Sequence, residues 1–172
     1  GHYFMDHLFA GAGGTLDRET RQNHVGFLTS ECHQFYDKPG QPVERVADGE
    51  TVVEASDEAL SPLKLEFLNY AGPSPVELAL SGEEWGDTLL SNLRDAYGNS
   101  IAMGGLVGMP PRRSNRVTLD PTVTDDYDNP VPDIQWSWGD RVRRSIARAN
   151  AIQHAVLNEL GTDIEWTANV ES

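Results

Sequence analysis

The segment Ser61-Pro-Leu-Lys64 has the Ser-x-x-Lys spacing of some acyl-transfer enzymes, in which a lysine activates the serine hydroxyl as a nucleophile. That chemistry needs both side chains on one turn of a helix. Here Pro62 and the alternating apolar residues after it predict a strand instead. We therefore expect the spacing to be coincidental, and a small acyl-transfer enzyme is the weakest of the functional hypotheses.

A glycine-rich segment, Gly11-Ala-Gly-Gly14, has the beginning of a dinucleotide-binding loop. The third glycine of that motif should fall at position 16, which is Leu16, and no capped helix follows to offer its N-terminus to a phosphate. Glycines in an apolar segment also allow another backbone to approach closely. We expect this second role, in a strand or loop over Leu8–Leu16.

Two further patterns concern metal ions. Asp126 and Asp128 begin like a calcium loop, but the position that requires glycine is Val131 and the final ligand position is Ser137. We expect a polar hairpin turn there. The side chains of the right type for zinc are His7, His24, Cys32 and His33. We expect no metal site, because no pair has an ordinary ligand spacing and adjacent strand residues point to opposite faces.

Polar and aromatic side chains on predicted strands are the remaining candidates for binding a substrate. They are Glu31, His33, Gln135, Trp136, Ser137 and Trp138. Trp136 and Trp138 would share a strand face with Ile134, which favours core packing. Gln135 and Ser137 would then face the other side and, if that side lines a pocket, hydrogen-bond a substrate. These residues form no complete catalytic constellation.

Hydrophobic periodicity predicts the elements that position these residues. The predicted strands are Val25–Tyr36, Pro62–Tyr70, Ser100–Met109, Asn115–Asp120 and Asp133–Trp138, with Asp163–Thr167 as a further candidate. Residues 1–7 resemble a short turn or helical end. The polar stretch 39–59 is predicted to be an exposed excursion.

Two helices complete the prediction. A capping-box spacing from Ser81 to Glu84 and a stop at Gly98 indicate a helix over 82–97. An apolar stripe from Val142 to Leu160 predicts an amphipathic helix that ends at Gly161 and is about 30 Å long. The resulting fold is α+β: a mostly antiparallel five- to six-stranded sheet with helices packed on one face, in one domain over residues 1–172.

The chain is strongly acidic, with a formal net charge of −14. This charge disfavours a nucleic-acid partner, because binding phosphate groups requires clustered cations. The absence of an apolar run of about 18 residues argues against a membrane span. Of the 13 basic residues only Lys38 and Lys64 are lysines, which favours a halophilic protein adapted to high salt. An ordinary acidic protein is the alternative.

Cys32 is the single cysteine, so the chain forms no internal disulfide and a reducing, cytoplasmic location is the simpler interpretation. No signal peptide is visible. Because the chain does not begin with Met, Gly1 is a processed or cut end, and export of a longer parent chain stays an alternative.

Two segments resemble the flavin-dependent glucose–methanol–choline (GMC) oxidoreductases. The opening Gly1-His-Tyr-Phe-Met-Asp-His7 resembles the Gly-x-x-(apolar)-x-Asp-His segment with which that family's chain leaves its FAD-binding domain. His2 departs from the Arg or Lys that is usual there. The second segment is similar to the family's substrate-domain ribbon and long helix; it comprises Pro111 to Leu119, Asp126, Pro130, Asp133 to Trp136 and the predicted helix after them.

The resemblance implies that residues 1–172 are the substrate-binding (cap) domain of a larger flavoenzyme, which acts on the CH–OH group of an alcohol, polyol or sugar. The family's Gly-rich FAD fingerprint lies upstream and its catalytic His lies downstream in a His-x-x-Gly-rich segment, and neither is present here. In the parent enzyme that His would accept the hydroxyl proton while hydride passes to the flavin.

The resemblance further implies that FAD is the cofactor of the parent enzyme and that this chain alone binds none and is inactive. It implies no catalytic residue within the chain and places Asp6 and His7 near the cofactor. The expected partners are the FAD-binding domain of the same parent chain and a small alcohol or sugar. The alternative is a non-enzymatic α+β binding module.

Overall fold

The computed structural model of the chain describes residues 1–20, 28–36, 42–47, 50–55, 60–69, 76, 79–80, 84–96 and 98–168. Among the residues singled out above, His24, Lys38 and Ser81 lie outside these ranges. In chain order the elements are β1 (His7–Thr15), β2 (Leu28–Cys32), β3 (Pro42–Ala47), β4 (Glu50–Ala55), β5 (Leu63–Leu68), α1 (Asp87–Ala96), β6 (Ser100–Gly108), β7 (Arg116–Thr124), β8 (Pro130–Gln135), α2 (Asp140–Glu159) and β9 (Asp163–Ala168).

Five of the strands form one antiparallel sheet in the order β2-β5-β6-β1-β9. Two separate antiparallel pairs, β3–β4 and β7–β8, stand beside it. This architecture confirms the predicted α+β class. The β3–β4 pair lies inside the stretch 39–59, which the sequence analysis described as an exposed excursion and in which it identified no strand.

Helix α2 packs on one face of the sheet, where it contacts β1, β5, β6 and β9. The first half of the predicted apolar stripe is buried: Val142, Ile146 and Ala149 pack with Leu63 and Leu65 of β5. In the second half, Ile152, Val156 and Leu160 are only partly buried, and Leu157 is the fully buried residue instead. Full burial of one Leu or Val side chain stabilises the fold by about 1.5–3 kcal/mol. The stripe therefore fixes the helix on this face.

Both ends of α2 are held by hydrogen bonds. At its start, Arg141 Nη2 donates to the Leu60 carbonyl over 3.0 Å, and Ser145 Oγ accepts from the Ser61 N–H over 2.8 Å. At its end, Gly161 has a φ of +79°, and the Thr162 N–H donates to the Leu157 carbonyl over 3.0 Å. This is the Schellman arrangement, which favours glycine, so the predicted stop at Gly161 is confirmed.

The glycines of β1 allow close backbone packing, as predicted. A Cβ atom at Gly14 would overlap the carbonyl oxygen of Asp163 in β9. A side chain there would separate β9 from the sheet. Gly11 to Gly14 are paired with β6 on one side and β9 on the other, so this segment is the middle of a sheet and not a phosphate loop.

Several predicted boundaries are wrong. Strand β7 continues to Thr124 rather than ending at Asp120, β8 begins at Pro130 rather than at Asp133, and β2 ends at Cys32 rather than at Tyr36. Helix α1 begins at Asp87 rather than at 82, because Glu84 and Trp85 are not helical and Gly86, with a φ of +68°, turns the chain before it. Strand β8 ends at Gln135 rather than at Trp138. Within the described residues, no helix combines the length and apolar composition that crossing a lipid bilayer requires.

Candidate functional site

The side of the five-stranded sheet opposite α2 is the first candidate binding surface, and we call it the open face. Side chains alternate along a strand, so Ala10 and Ala12 of β1 point to α2 whereas Phe9 and Gly11 point to the open face. No helix or strand in the described part of the chain packs against the open face. Phe9 is 42% exposed there, and Trp166 of β9 is 39% exposed.

Glycines make room for these two aromatic rings. A Cβ atom at Gly11 would lie 2.6 Å from the Phe9 ring and 3.1 Å from the Trp166 ring, and one at Gly13 would lie 2.8 Å from Trp166. Gly104 of β6 is covered in the same way by Phe9. The rings therefore lie over a side-chain-free stretch of backbone and form a partly exposed apolar platform.

A cluster of charged side chains borders this platform where β5 pairs with the edge strand β2. We call it the edge cluster; it consists of Glu31, His33, Lys64 and Glu66. Lys64 Nζ lies 3.1 Å from Glu31 Oε1 and also pairs with Glu66. His33 Nε2 lies 3.2 Å from Glu31 Oε2. Glu66 pairs in register with Gly104, so the cluster shares the open face with the aromatic rings.

The edge cluster stabilises the charged states of its own members. The hydrogen bond with His33, followed by the hydrogen bond and charge of Lys64, lowers the pKa of Glu31. Hydrogen bonds with Glu66 and Glu31 raise the pKa of Lys64. The cluster thus presents ionised acceptors and an ionised donor, which can hydrogen-bond the hydroxyl groups of a ligand.

A small cleft lies between β2 and β5 beside this cluster. Its volume is about 110 Å³, and its lining includes Cys32, Leu65, Phe67 and Met103. An apolar cavity of about 150 Å³ holds one benzene molecule, so this cleft holds at most a group of about that size. It is too small to enclose a sugar or a flavin.

The β7–β8 pair, which we call the ribbon, has two different faces. Thr118 and Gln135 both hydrogen-bond Asp133 Oδ2, over 3.3 Å and 3.2 Å, and form a polar face. The opposite face is apolar and exposed: Leu119 is 65% exposed and Ile134 58%. Ile134 therefore does not belong to the core, and the expectation that its strand face is buried is wrong.

Asn115 joins the ribbon to the rest of the molecule. It is fully buried; its side chain donates to the Ser137 carbonyl over 3.0 Å and accepts from the Ser137 N–H over 3.1 Å. Its carbonyl accepts from the Phe4 N–H, and Gly1 exchanges backbone hydrogen bonds with Val117. The first residues of the chain thus hydrogen-bond to the backbone at the start of β7.

Trp136 and Trp138 lie after the ribbon, where their rings meet edge to face with centroids 4.9 Å apart. Trp138 packs against the core, as predicted, whereas Trp136 is 37% exposed and donates from Nε1 to Met109 Sδ over 3.1 Å. Because β8 has already ended, the alternation that assigned Gln135 and Ser137 to one substrate-facing side does not apply.

The predicted site residues fall into three separate places. Glu31 and His33 lie in the edge cluster, and residues 135–138 lie at the ribbon base. Asp6 lies just before β1, and His7 is the first residue of that strand. Asp6 Oδ1 accepts a hydrogen bond from the His7 N–H over 2.7 Å. Within the described residues, no hydrogen bond, ion pair or ring contact joins one place to another.

The remaining motifs serve local structure. Ser61 is 1% exposed, and its backbone N–H donates to Ser145 Oγ. Lys64 Nζ pairs with Glu31 and Glu66 in the edge cluster, so Ser61 and Lys64 do not form a nucleophile–base pair. The stretch 124–130 is a polar turn, as predicted, and Asp125 Oδ1 accepts the Tyr127 and Asn129 N–H groups over 2.9 Å each. In the described ranges, no three His, Cys, Asp or Glu residues are grouped to hold a metal ion.

Three residues of the candidate surface were not among the site residues predicted from the sequence. Phe9 and Trp166 show no motif, and their pairing across β1 needs the sheet order. Lys64 was considered for its spacing from Ser61 and as one of the two lysines, but not as a candidate binding residue. The alternation of Lys64 and Glu66 with buried leucines was the available signal, since it places both charges on one strand face. The chain matches no protein-family model and no curated protein.

Proposed function

We propose that the chain is the substrate-binding domain of an FAD-dependent oxidoreductase that acts on the CH–OH group of an alcohol, polyol or sugar. The observation that carries the proposal is the open face. It places two exposed aromatic rings and a charged cluster on a sheet whose other face is sealed by α2. An exposed apolar platform of this kind is typical of a surface that another domain or a ligand covers.

FAD itself would be held by another part of the parent chain. The described residues do not fit it, because Gly11 to Gly14 are paired on both sides in the sheet and no helix N-terminus follows them. The role of this chain would be to close the site. Phe9 and Trp166 would exclude water, and the edge cluster would orient the substrate through its hydroxyl groups.

Two sequence features support the same proposal. The Gly1–His7 segment and the ribbon, which carry the resemblance to GMC oxidoreductases, lie side by side through the backbone hydrogen bonds between Gly1 and Val117. The acidic, lysine-poor composition supports adaptation of the parent enzyme to high salt.

The test is the replacement Trp166→Ala in the parent oxidoreductase. We expect kcat/KM to fall about tenfold or more, because a loss of about 1.4 kcal/mol in transition-state stabilisation has that effect. Trp85→Ala is the matched control, since Trp85 is 85% exposed and lies outside the sheet. If the two variants are equally active, the open face takes no part in the reaction.

A non-enzymatic binding module is the second candidate, and the exposed apolar face of the ribbon favours it. The two candidates differ in what Trp166→Ala changes. In an enzyme it lowers turnover of an alcohol substrate. In a binding module no alcohol is oxidised by the parent protein, with or without the replacement.

A further inference from the structure

The open face arranges charged and apolar groups in one row across four neighbouring strands. Glu66 of β5 is in register with Gly104 of β6, and Gly104 is in register with Gly11 of β1. The Phe9 ring covers both glycines, and the Trp166 ring of β9 reaches Gly11 from the other side. The row therefore runs from the edge cluster to the Phe9 ring and then to the Trp166 ring.

A pyranose sugar ring matches this combination of surfaces. One side of such a ring consists of C–H groups, which an aromatic ring covers and removes from water, whereas the hydroxyl groups on its rim need hydrogen-bond partners. Phe9 and Trp166 are partly exposed and can make the first contact. Glu31 and Lys64 are also partly exposed, and they supply a charged acceptor and a charged donor for the second. A simple alcohol or an open-chain polyol has no such apolar side.

The length of the row indicates a ligand of more than one sugar unit. Neighbouring strands lie about 4.8 Å apart, so the three steps from β5 to β9 cover about 14 Å. A single pyranose ring, which is built from bonds of about 1.5 Å, is too short to contact both ends of the row. Two linked rings fit, one over Phe9 beside the edge cluster and the other over Trp166.

The charge of this surface disfavours acidic sugars. The carboxylates of Glu31 and Glu66 outnumber the ammonium group of Lys64 with which they pair, and the whole chain carries a net charge of −14. A phosphate, sulfate or carboxylate group on the ligand would therefore be repelled. The surface favours a neutral sugar.

We propose that the open face binds a neutral saccharide of at least two linked pyranose units. One unit lies over Trp166, and the next lies over Phe9, where its hydroxyl groups hydrogen-bond the edge cluster. This inference deepens the proposed function and rests on it for the statement that the bound saccharide is the substrate. Binding itself requires no flavin, so it is measurable on residues 1–172.

The test is isothermal titration calorimetry of the chain with cellobiose, maltose and lactose, with glucose as the single-unit comparison. We expect at least one of the three disaccharides to bind at least tenfold more tightly than glucose. Trp166→Ala should weaken binding of that disaccharide at least tenfold and leave glucose binding unchanged, because glucose is held over Phe9 next to the edge cluster. Trp85→Ala, the matched control, should bind both sugars as the unmodified chain does. Circular dichroism verifies that both variants are folded.

Two results would overturn the proposal. The first is a chain that binds none of the three disaccharides or binds them no more tightly than glucose, in which case another protein domain covers the open face. The second is a folded Trp166→Ala variant that loses affinity for glucose and disaccharide equally, or for neither.

These results are distinguishable from a failure of the proposed function. A parent protein that holds flavin and oxidises a simple alcohol, while residues 1–172 bind no disaccharide, would support the oxidoreductase and overturn the saccharide site. Disaccharide binding by residues 1–172, when the parent protein holds no flavin, would support the saccharide site and overturn the oxidoreductase.

Discussion

At the residue scale, the side chains of the edge cluster connect the short edge strand β2 to its neighbour β5. Strand β2 is an edge strand that pairs only with β5 among the described strands. Glu31 of β2 forms an ion pair with Lys64 of β5, and His33 makes a second contact with the Glu31 carboxylate. The pKa of Glu31 is lowered by these contacts, so its ionised form contributes to the stability of the folded state.

This linkage predicts how Glu31→Gln behaves with pH. A carboxyl group whose folded pKa is depressed stabilises the protein above its unfolded pKa, here about 4.5, and loses that contribution as the pH falls through the folded pKa. Urea unfolding should therefore show wild type more stable than the variant at neutral pH, with the difference vanishing in acid. The effect should be small because Glu31 is exposed. A difference that grows in acid would contradict this assignment.

At the element scale, periodicity predicted the strands and the long helix because their apolar side chains repeat at the spacing of the buried face. Val142 to Leu160 is an example, and its stop at Gly161 followed from the need for a left-handed residue. Boundaries set by other interactions were missed. Strand β8 ends at Gln135 because the next backbone groups pair with the buried Asn115, which is a contact across 22 residues that no local pattern reveals.

The same contact predicts that Asn115→Ala destabilises the protein. The replacement leaves the Ser137 N–H and carbonyl without partners, at a cost of about 1–3 kcal/mol. Thermal unfolding should shift to lower temperature, and protease cleavage at the ribbon base should become faster. Asn158→Ala is the control, since Asn158 is exposed on α2. Equal stability of the two variants would show that Asn115 does not hold the ribbon.

At the scale of the whole molecule, the sequence predicted the fold class but not the site. The antiparallel sheet of five strands and the long helix on one of its faces follow from patterns within segments, whereas the β3–β4 pair and the separation of β7–β8 from the main sheet do not. The candidate binding surface depends instead on strand order, because Phe9 and Trp166 are far apart in sequence and meet only when β9 pairs with β1. The alternation that assigned Gln135 and Ser137 to one side does not extend to Ser137, because β8 ends at Gln135; their contact with a substrate stays a prediction.

The central proposal is that this chain binds the substrate while another domain of the parent protein binds FAD. The visible absorption spectrum of the parent protein tests it most directly. The parent, purified with the segments that flank this chain in its gene, should show bound flavin whose absorbance bleaches on addition of an alcohol or sugar substrate, while residues 1–172 alone should show none. A parent protein without flavin, or an isolated chain that carries flavin in equimolar amount, would contradict the account.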